Sequence, residues 1–195
     1  HLIGGGDAFV LMPTGGGKSL CYQLPALHRA GLCIVVSPLI ALMKDQVDAL
    51  AARGIAARRL DSTLDLDEYR TVMDEVRSGR LRLLYVAPER FVNERFCQAI
   101  QRTRISLFAV DEAHCISQWG HDFRPAYLGL AEAVRELGGP PILALTATAT
   151  PQVKIDIIRQ LGMRTPTVVD IGCERPNLCY HVLRAASESK KRATL

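Results

Sequence analysis

Apolar and polar residues fall along this chain in blocks rather than in strict alternation. Short apolar runs at 8–12, 32–36, 81–86, 105–110, 142–145 and 167–170 predict strands, and 57–60 is expected as a further short strand. Longer stretches with helical spacing at 20–30, 39–53, 64–77, 91–102, 125–137 and 151–161 predict the helices between them. Pro25 is expected to interrupt the first helix and Pro125 to open the fifth. Gly4-Gly-Gly6 reads as a turn before the first strand, and Asp61-Ser-Thr63 as a turn or helix cap. Residues 177–183 predict one more strand or the start of a linker, and the polar, basic end from Ser187 predicts disorder. Strands that alternate with helices and are apolar on both faces predict an α/β fold: a mostly parallel sheet with helices on both faces.

Polar signatures interrupt this pattern just after the strands. The first, Met12-Pro-Thr-Gly-Gly-Gly-Lys-Ser19, lies between a predicted strand and a predicted helix. Glycines there let backbone N–H groups close around phosphate oxygens, and the helix N-terminus favours negative charge. Lys18 can reach β- and γ-phosphates, and the Ser19 hydroxyl can ligate Mg2+. The general G-x-x-x-x-G-K-[ST] pattern has glycine where this chain has Met12. A flexible turn with a solvated lysine is the competing reading, and the strand–loop–helix context weighs against it.

After the strand ending at Val110 comes Asp111-Glu-Ala-His114. An Asp at a buried strand end can hold Mg2+, and the neighbouring Glu can polarise an attacking water. Ser37-Pro38, Ala87-Pro-Glu-Arg90 and Thr146-Ala-Thr-Ala-Thr150 also follow predicted strands. In open parallel sheets ligands gather at the carboxyl ends of strands, so these signatures are expected on one edge. The segment Ile116-Ser-Gln-Trp-Gly-His-Asp-Phe-Arg124 has neither helical nor strand periodicity and carries the only tryptophan. Its residues read equally as an aromatic plug under a loop or as a mobile loop whose Trp119, Phe123 and Arg124 stack on bases or grip phosphates. The histidines show no H-E-x-x-H spacing, which speaks against a histidine metal site.

Composition narrows the class further. The 195 residues suffice for one well-cored domain with a short tail. A net charge of +4 permits a polyanionic partner without demanding one. The six cysteines include no C-x-x-C pair, which favours reduced thiols over zinc or a disulfide framework. No apolar run is long enough for a membrane span. The chain opens on His1 rather than Met, which reads as a fragment.

At these residues the chain resembles the RecQ family of DNA helicases, within helicase superfamily 2. The resemblance is carried by Met12 to Ala26, Val36 to Gln46, Tyr85 to Arg90, Asp111 to Tyr127, Leu145 to Thr150 and Arg175-Pro-Asn177. It implies a RecA-like P-loop NTPase fold with ATP and Mg2+ as cofactors. Thr14, Gly15, Gly16, Gly17, Lys18 and Ser19 would bind the triphosphate; Ser19 and Asp111 would hold Mg2+; Glu112 would be the catalytic base. His114, Thr146 and Thr148 would couple hydrolysis to DNA, and Gln118, Trp119, Phe123 and Arg124 would form an aromatic-rich loop that senses single-stranded DNA. Ser37, Ser62, Thr63 and Arg90 resemble strand-backbone contacts. By the same resemblance, residues 1–183 are the first motor lobe, shortened at its N-terminus, and 184–195 a linker or the start of a second lobe that would supply an arginine finger. The implied partners are single-stranded or forked DNA and that second lobe. The implied location is the bacterial cytoplasm at the nucleoid, or a eukaryotic nucleus. A binding module without turnover and an RNA-directed motor remain as alternative readings.

Overall fold

The computed structural model describes residues 1–172 together with Leu178, Cys179 and Val182. Its strands are β1 (Ala8–Leu11), β2 (Leu32–Val36), β3 (Ala57–Leu60), β4 (Leu83–Val86), β5 (Ile105–Val110), β6 (Ile142–Thr146) and β7 (Thr167–Asp170). The α-helices are α1 (Leu20–His28), α2 (Ile40–Ala51), α3 (Leu66–Arg77), α4 (Glu94–Ile100), α5 (Leu130–Glu136) and α6 (Pro151–Gln160). All strands belong to one sheet of order β3-β4-β2-β5-β6-β1-β7, and every neighbouring pair is parallel. The expected motif Arg175-Pro-Asn177 and the 184–195 tail lie outside the described residues, as does most of the expected 177–183 element.

Successive residues of a strand point to opposite faces, so each central strand must be apolar throughout to bury both. Phe9, Ile34, Leu84, Phe108 and Ala144 share one face with the buried sides of α3 to α6, including Met73, Phe96, Leu130 and Ile157. Val10, Cys33, Val35, Leu107 and Leu145 share the other with Tyr22, Met43 and Leu50 of α1 and α2. The two edge strands depart from the expectation of burial on both faces. Every residue of β7 is exposed, and Arg58 of β3 is exposed too. An edge strand has a neighbour on one side only, so polar residues are tolerated there.

Three helix expectations are corrected. Pro25 does not interrupt α1. It sits buried inside the helix, which runs on to His28 and closes with the Arg29 N–H donating to the Pro25 carbonyl. The missing proline N–H removes a single helical bond, and tertiary packing of a nine-residue helix outweighs it. The helix expected at 91–102 divides into a 3-10 turn, Pro88–Val92, and α4, because the Asn93 side chain accepts the Phe96 N–H at 3.2 Å and starts a new helix. Likewise 125–137 divides into the 3-10 turn Pro125–Tyr127 and α5. Asp61-Ser-Thr63 is the turn rather than the cap: Asp61 accepts both the backbone N–H and hydroxyl of Thr63. The cap of α3 is Asp65, in a reciprocal capping box with Glu68.

One carboxylate ties the lower edge of the sheet together. Asp7 is 2% exposed. It accepts the Ile142 N–H at 2.9 Å and the Arg164 N–H at 2.6 Å, while its own carbonyl accepts the Thr167 N–H at 2.9 Å. It thereby fixes where β6 and β7 begin beside β1. Asp7→Ala leaves backbone donors of this buried corner without their acceptor, and each such loss costs about 1–3 kcal/mol. The variant is therefore expected to lose about 2–4 kcal/mol of unfolding free energy by urea titration. A loss below about 0.5 kcal/mol would contradict this anchoring role.

Candidate functional site

Parallel strands send every strand-to-helix turn to the same edge. The expected signatures follow β1, β2, β4, β5 and β6, which are contiguous in the sheet. Their ends are stitched by backbone hydrogen bonds: Met12 N–H to the Thr146 carbonyl at 3.1 Å, Asp111 N–H to Val36 at 2.8 Å, and Ser37 N–H to Val86 at 3.2 Å. The edge is thus one continuous floor, and the sequence expectation that these turns converge holds.

The glycine-rich turn after β1 needs its glycines for specific reasons. Gly15 and Gly17 have φ of 80° and 87°, in the left-handed region where a side chain is strained. At Gly16 an added Cβ would lie 2.7 Å from Cγ of Met12 and 3.0 Å from the Pro13 carbonyl oxygen, so there is no room for a side chain without a shift. Lys18 donates to the Met12 carbonyl at 3.2 Å and to Pro13 at 3.4 Å, which curls the lysine over its own loop. Ser19 is the N-cap of α1 but makes no side-chain cap bond, which leaves its hydroxyl for another partner.

Across β6 from this loop stands the acidic pair. Asp111, 7% exposed, accepts the Glu112 N–H at 3.0 Å, and its carbonyl accepts the buried Tyr127 hydroxyl at 3.2 Å. Burial pushes its carboxyl up to about 6, with the Glu112 charge adding to the rise and Lys18 opposing it. Glu112 moves the other way. Its hydrogen bond with His114 holds it below the usual range, against the effect of burial, with Lys18 helping. Glu112 has φ 47° and ψ 45°, a left-handed conformation that costs a non-glycine residue on the order of 1–3 kcal/mol. That turn folds its carboxylate back to within 3.3 Å of His114 Nδ1. A carboxylate at a strand end and an uncommitted hydroxyl on the adjoining helix are oxygen donors of the kind Mg2+ takes, so Asp111 and Ser19 fit such an ion.

A short relay leaves this pair. His114 Nδ1 lies 2.8 Å from Thr146 Oγ1. The Thr146 hydroxyl donates to the Thr148 carbonyl at 3.1 Å and accepts the Thr148 N–H at 3.2 Å. The direction of the His114–Thr146 bond follows the histidine tautomer. The same ring nitrogen faces the Glu112 carboxylate. His121, which the sequence did not single out, stacks on the His114 ring at 4.3 Å.

The relay ends in a cleft of about 330 Å³ lined by His114, Trp119, His121, Thr148, Thr150 and Val153. Trp119 is 73% exposed, so the aromatic-plug reading fails. Its N–H donates to Ser117 Oγ at 3.2 Å. Gln118 is exposed and Phe123 half-buried, and Arg124 is forked onto Asp122 through Nε and Nη2. His114, Cys115 and Asp122 bring potential ligand atoms within 4.8 Å of one another. Asp122 is nevertheless held by Arg124, and burial pushes the Cys115 thiol up to about 12, which keeps it protonated. The five described cysteines are free, and Cys173 lies outside the described residues.

A second cleft, of about 490 Å³, opens further along the same edge between Pro38, Ser62, Ala87 and Arg90. Arg90 donates to the Asp61 carbonyl and lies 5.8 Å from the Tyr69 ring centroid. Ser37 is 2% exposed, and its hydroxyl has no partner among the described residues. The strand-end residues are therefore split between two clefts: Trp119 and Thr148 in one, Ser62 and Arg90 in the other. Sequence reasoning missed Tyr127, His121 and Asp156. For Asp156 a signal existed, since it is an acid beside Val153 and Ile157 on the apolar side of its helix.

Comparison with known proteins bears on this geometry. The model of the "DEAD/DEAH box helicase" family matches residues 1–156. The chain is 49% identical to "ATP-dependent DNA helicase RecQ" of Pasteurella multocida over 90% of its length, covering 28% of that protein. It is 48% identical to the protein of the same name from Bacillus subtilis, covering 92% of this chain and 31% of the relative. Mouse "ATP-dependent DNA helicase Q5" is 47% identical over 92% of this chain and 19% of its own. The chain thus spans about a third or less of the length of these curated relatives. Among solved structures, the Pyrococcus furiosus Hef helicase domain superposes with a TM-score of 0.65 at 21% identity, covering 86% of this chain and 35% of that one. A hypothetical ATP-dependent RNA helicase from Sulfolobus tokodaii gives 0.64 at 16% identity, covering 87% and 49%. These likenesses carry the fold, which is RecA-like as expected. No helix among the described residues is long and apolar enough to cross a membrane.

The buried Asp111 makes a stability prediction. Its carboxyl takes a proton near pH 6 when folded and near 3.8 when unfolded, so keeping it ionised at pH 7 costs the nucleotide-free fold about 3 kcal/mol. That penalty shrinks as pH falls through 6 and is gone below the unfolded value. Asp111→Asn is expected to raise the melting midpoint at pH 7 by several degrees, with the advantage fading by pH 5. An equal or lower midpoint at pH 7 in calorimetry without added metal would contradict the assignment.

Proposed function

The chain belongs to the DEAD/DEAH box helicase family, and on that premise we propose that residues 1–183 are the nucleotide-binding motor lobe of a RecQ-like DNA helicase. In this reading ATP binds at the edge where β1, β5 and β6 end. Thr14 to Ser19 cradle the phosphates with backbone N–H groups and the α1 N-terminus. Lys18 leaves its own loop carbonyls for the terminal phosphates. When bound, Mg2+ neutralises charge on the β- and γ-phosphates, and Ser19 and Asp111 are its holders. Glu112, kept ionised by its histidine neighbour, is the base that orients and deprotonates the attacking water.

The observation that carries this reading is the chain of close contacts from Glu112, 3.3 Å from His114 Nδ1, through the His114–Thr146 hydrogen bond to Thr148, ending in the cleft lined by Trp119. A base whose partner is also the neighbour of a base-stacking loop can respond to what that loop binds. We assign single-stranded DNA to this edge. Gln118, Trp119, Phe123 and Arg124 offer stacking and phosphate contact, and Ser37, Ser62, Thr63 and Arg90 contact the strand backbone in the neighbouring cleft. The unpartnered Ser37 hydroxyl supports the second assignment, because a buried hydroxyl without a partner costs free energy that a phosphate oxygen would recover. The curated relatives named ATP-dependent DNA helicases are about three times as long as this chain or longer. Translocation in the 3′-to-5′ direction and unwinding of forked DNA accordingly belong to a protein that also contains a second motor lobe, whose arginine would complete the site.

A binding titration with a fluorescent ATP analogue and Mg2+ separates the roles. Lys18→Ala is expected to weaken affinity by about 30-fold to 1,000-fold, corresponding to about 2–4 kcal/mol. Glu112→Gln, which acts only in the chemical step, should bind within about threefold of the parent chain. Equal affinity in the parent and the Lys18 variant would remove the phosphate-loop assignment. Loss of binding in the Glu112 variant would mean that this side chain holds nucleotide instead.

A further inference from the structure

The glycine turn and the acidic pair occupy one end of the sheet. Toward the other end, where α3 and α4 lead into β4 and β5, the surface has a different chemistry. A cleft of about 500 Å³ opens there, lined by Arg77, Arg95, Gln98, Ala99, Arg102 and Thr103. Among the described residues neither a carboxylate nor an aromatic ring lines it. Arg77 pairs with Asp74 at 2.7 Å, but both side chains are more than half exposed, where such a pair is weak. Arg95 and Arg102 are exposed and have no ion pair among the described residues. The acids beside α4 are gathered on its other flank, where Glu94, Glu132 and Glu136 line a separate cleft. The arginine cleft is therefore a place of uncompensated positive charge, which favours an anion.

Spacing and lining say which anion. Arg95 and Arg102 are seven residues apart, two helical turns, and Gln101 between them keeps helical dihedral angles, so both face the same side. At 1.5 Å per residue they are separated by roughly 10 Å along the helix axis. One strand of a DNA duplex advances about 3.4 Å per phosphate, so that separation spans about three phosphates. Guanidinium forks suit phosphate oxygens, and Gln98 and Thr103 add hydrogen-bond donors. A peptide partner would be anchored by a large apolar side chain in an apolar pocket, and Ala99 is the single apolar residue lining this cleft. A single strand would be held by stacking, for which the cleft offers no ring. A duplex keeps its bases paired inside and presents phosphates, which is all that these side chains can grip.

We propose that this cleft is a second nucleic-acid contact, which holds the phosphate backbone of a DNA duplex through Arg77, Arg95 and Arg102 without reading its sequence. It lies apart from the nucleotide edge and does not rest on the assignment of the Trp119 loop.

A blunt DNA duplex of about 20 base pairs, labelled at one end, is titrated with the 195-residue chain at several salt concentrations and followed by fluorescence anisotropy. The double variant Arg95→Gln/Arg102→Gln is expected to weaken duplex affinity about tenfold and to reduce the slope of log affinity against log salt by about 2. Its circular dichroism and its affinity for a labelled Mg–ATP analogue should be unchanged. Arg53→Gln/Arg135→Gln removes the same charge from exposed positions outside the cleft and should stay within about twofold of the parent chain. Trp119→Ala should also stay within about twofold for the duplex, which separates failure of this proposal from failure of the loop reading. A parent chain that binds no duplex at low salt would overturn the proposal. So would an equal loss in the two double variants, or a loss as large in Trp119→Ala. Tighter binding of a polyglutamate of matched charge than of the duplex would assign the cleft to an acidic protein segment and overturn it as well.

Discussion

Every strand in this sheet runs the same way, and everything chemical in the molecule depends on that. A parallel ladder leaves each strand to re-enter through a helix, so all carboxyl ends, with their turns, collect on one edge. Because β4, β2, β5, β6 and β1 are neighbours, turns that are up to about 130 residues apart in sequence meet on one floor. Hydrogen bonds across the last residues, such as Asp111 N–H to Val36 and Met12 N–H to Thr146, set the spacing of their side chains. The opposite edge is held by the buried Asp7 carboxylate, which aligns the starts of β6 and β7 with β1. Slippage there would displace the glycine turn from the Thr146 turn.

On that floor the fold tolerates features that weaken it. Asp111 is a carboxylate driven into an apolar setting, and Glu112 occupies a backbone conformation that side chains disfavour. Both are local losses of stability held in place by well-formed surroundings: a buried five-strand centre, the Tyr127 hydroxyl and the His114 contact. Strain and perturbed carboxylates gathered at one point of an otherwise regular structure mark where chemistry is expected. Glu112 and Asp111 are pushed in opposite directions by their environments, one kept ionised and the other ready to gain a cation. Opposite shifts of this kind suit the proposed division between a base and a metal holder.

Much of this was legible in the order of residues. The inner strands β1, β2, β4, β5 and β6 were legible nearly residue for residue, because strands buried on both faces must be apolar throughout. The glycine turn and the acidic pair were legible because each is a short run of neighbouring residues. What could not be read depended on tertiary contact. Pro25 sits inside a helix because packing, not local preference, decides a nine-residue helix. The break before α4 came from Asn93, whose side chain could equally have faced solvent. The contact between His114 and Thr146 joins turns distant in sequence and could not be read from either one alone. Asp156 was visible only as an acid where an apolar residue was expected.

The central claim is that the nucleotide edge and the Trp119 loop are one coupled device, joined through His114 and Thr146. The most direct measurement is the emission of Trp119 in the chain as it is saturated with Mg2+ and a non-hydrolysable ATP analogue, with binding followed independently by a label on the nucleotide. The account predicts that nucleotide binding shifts the intensity or wavelength of this single tryptophan, and that Thr146→Val abolishes the shift while leaving nucleotide affinity within about threefold. Saturating nucleotide with no change in Trp119 emission, or a shift that survives Thr146→Val undiminished, would contradict it.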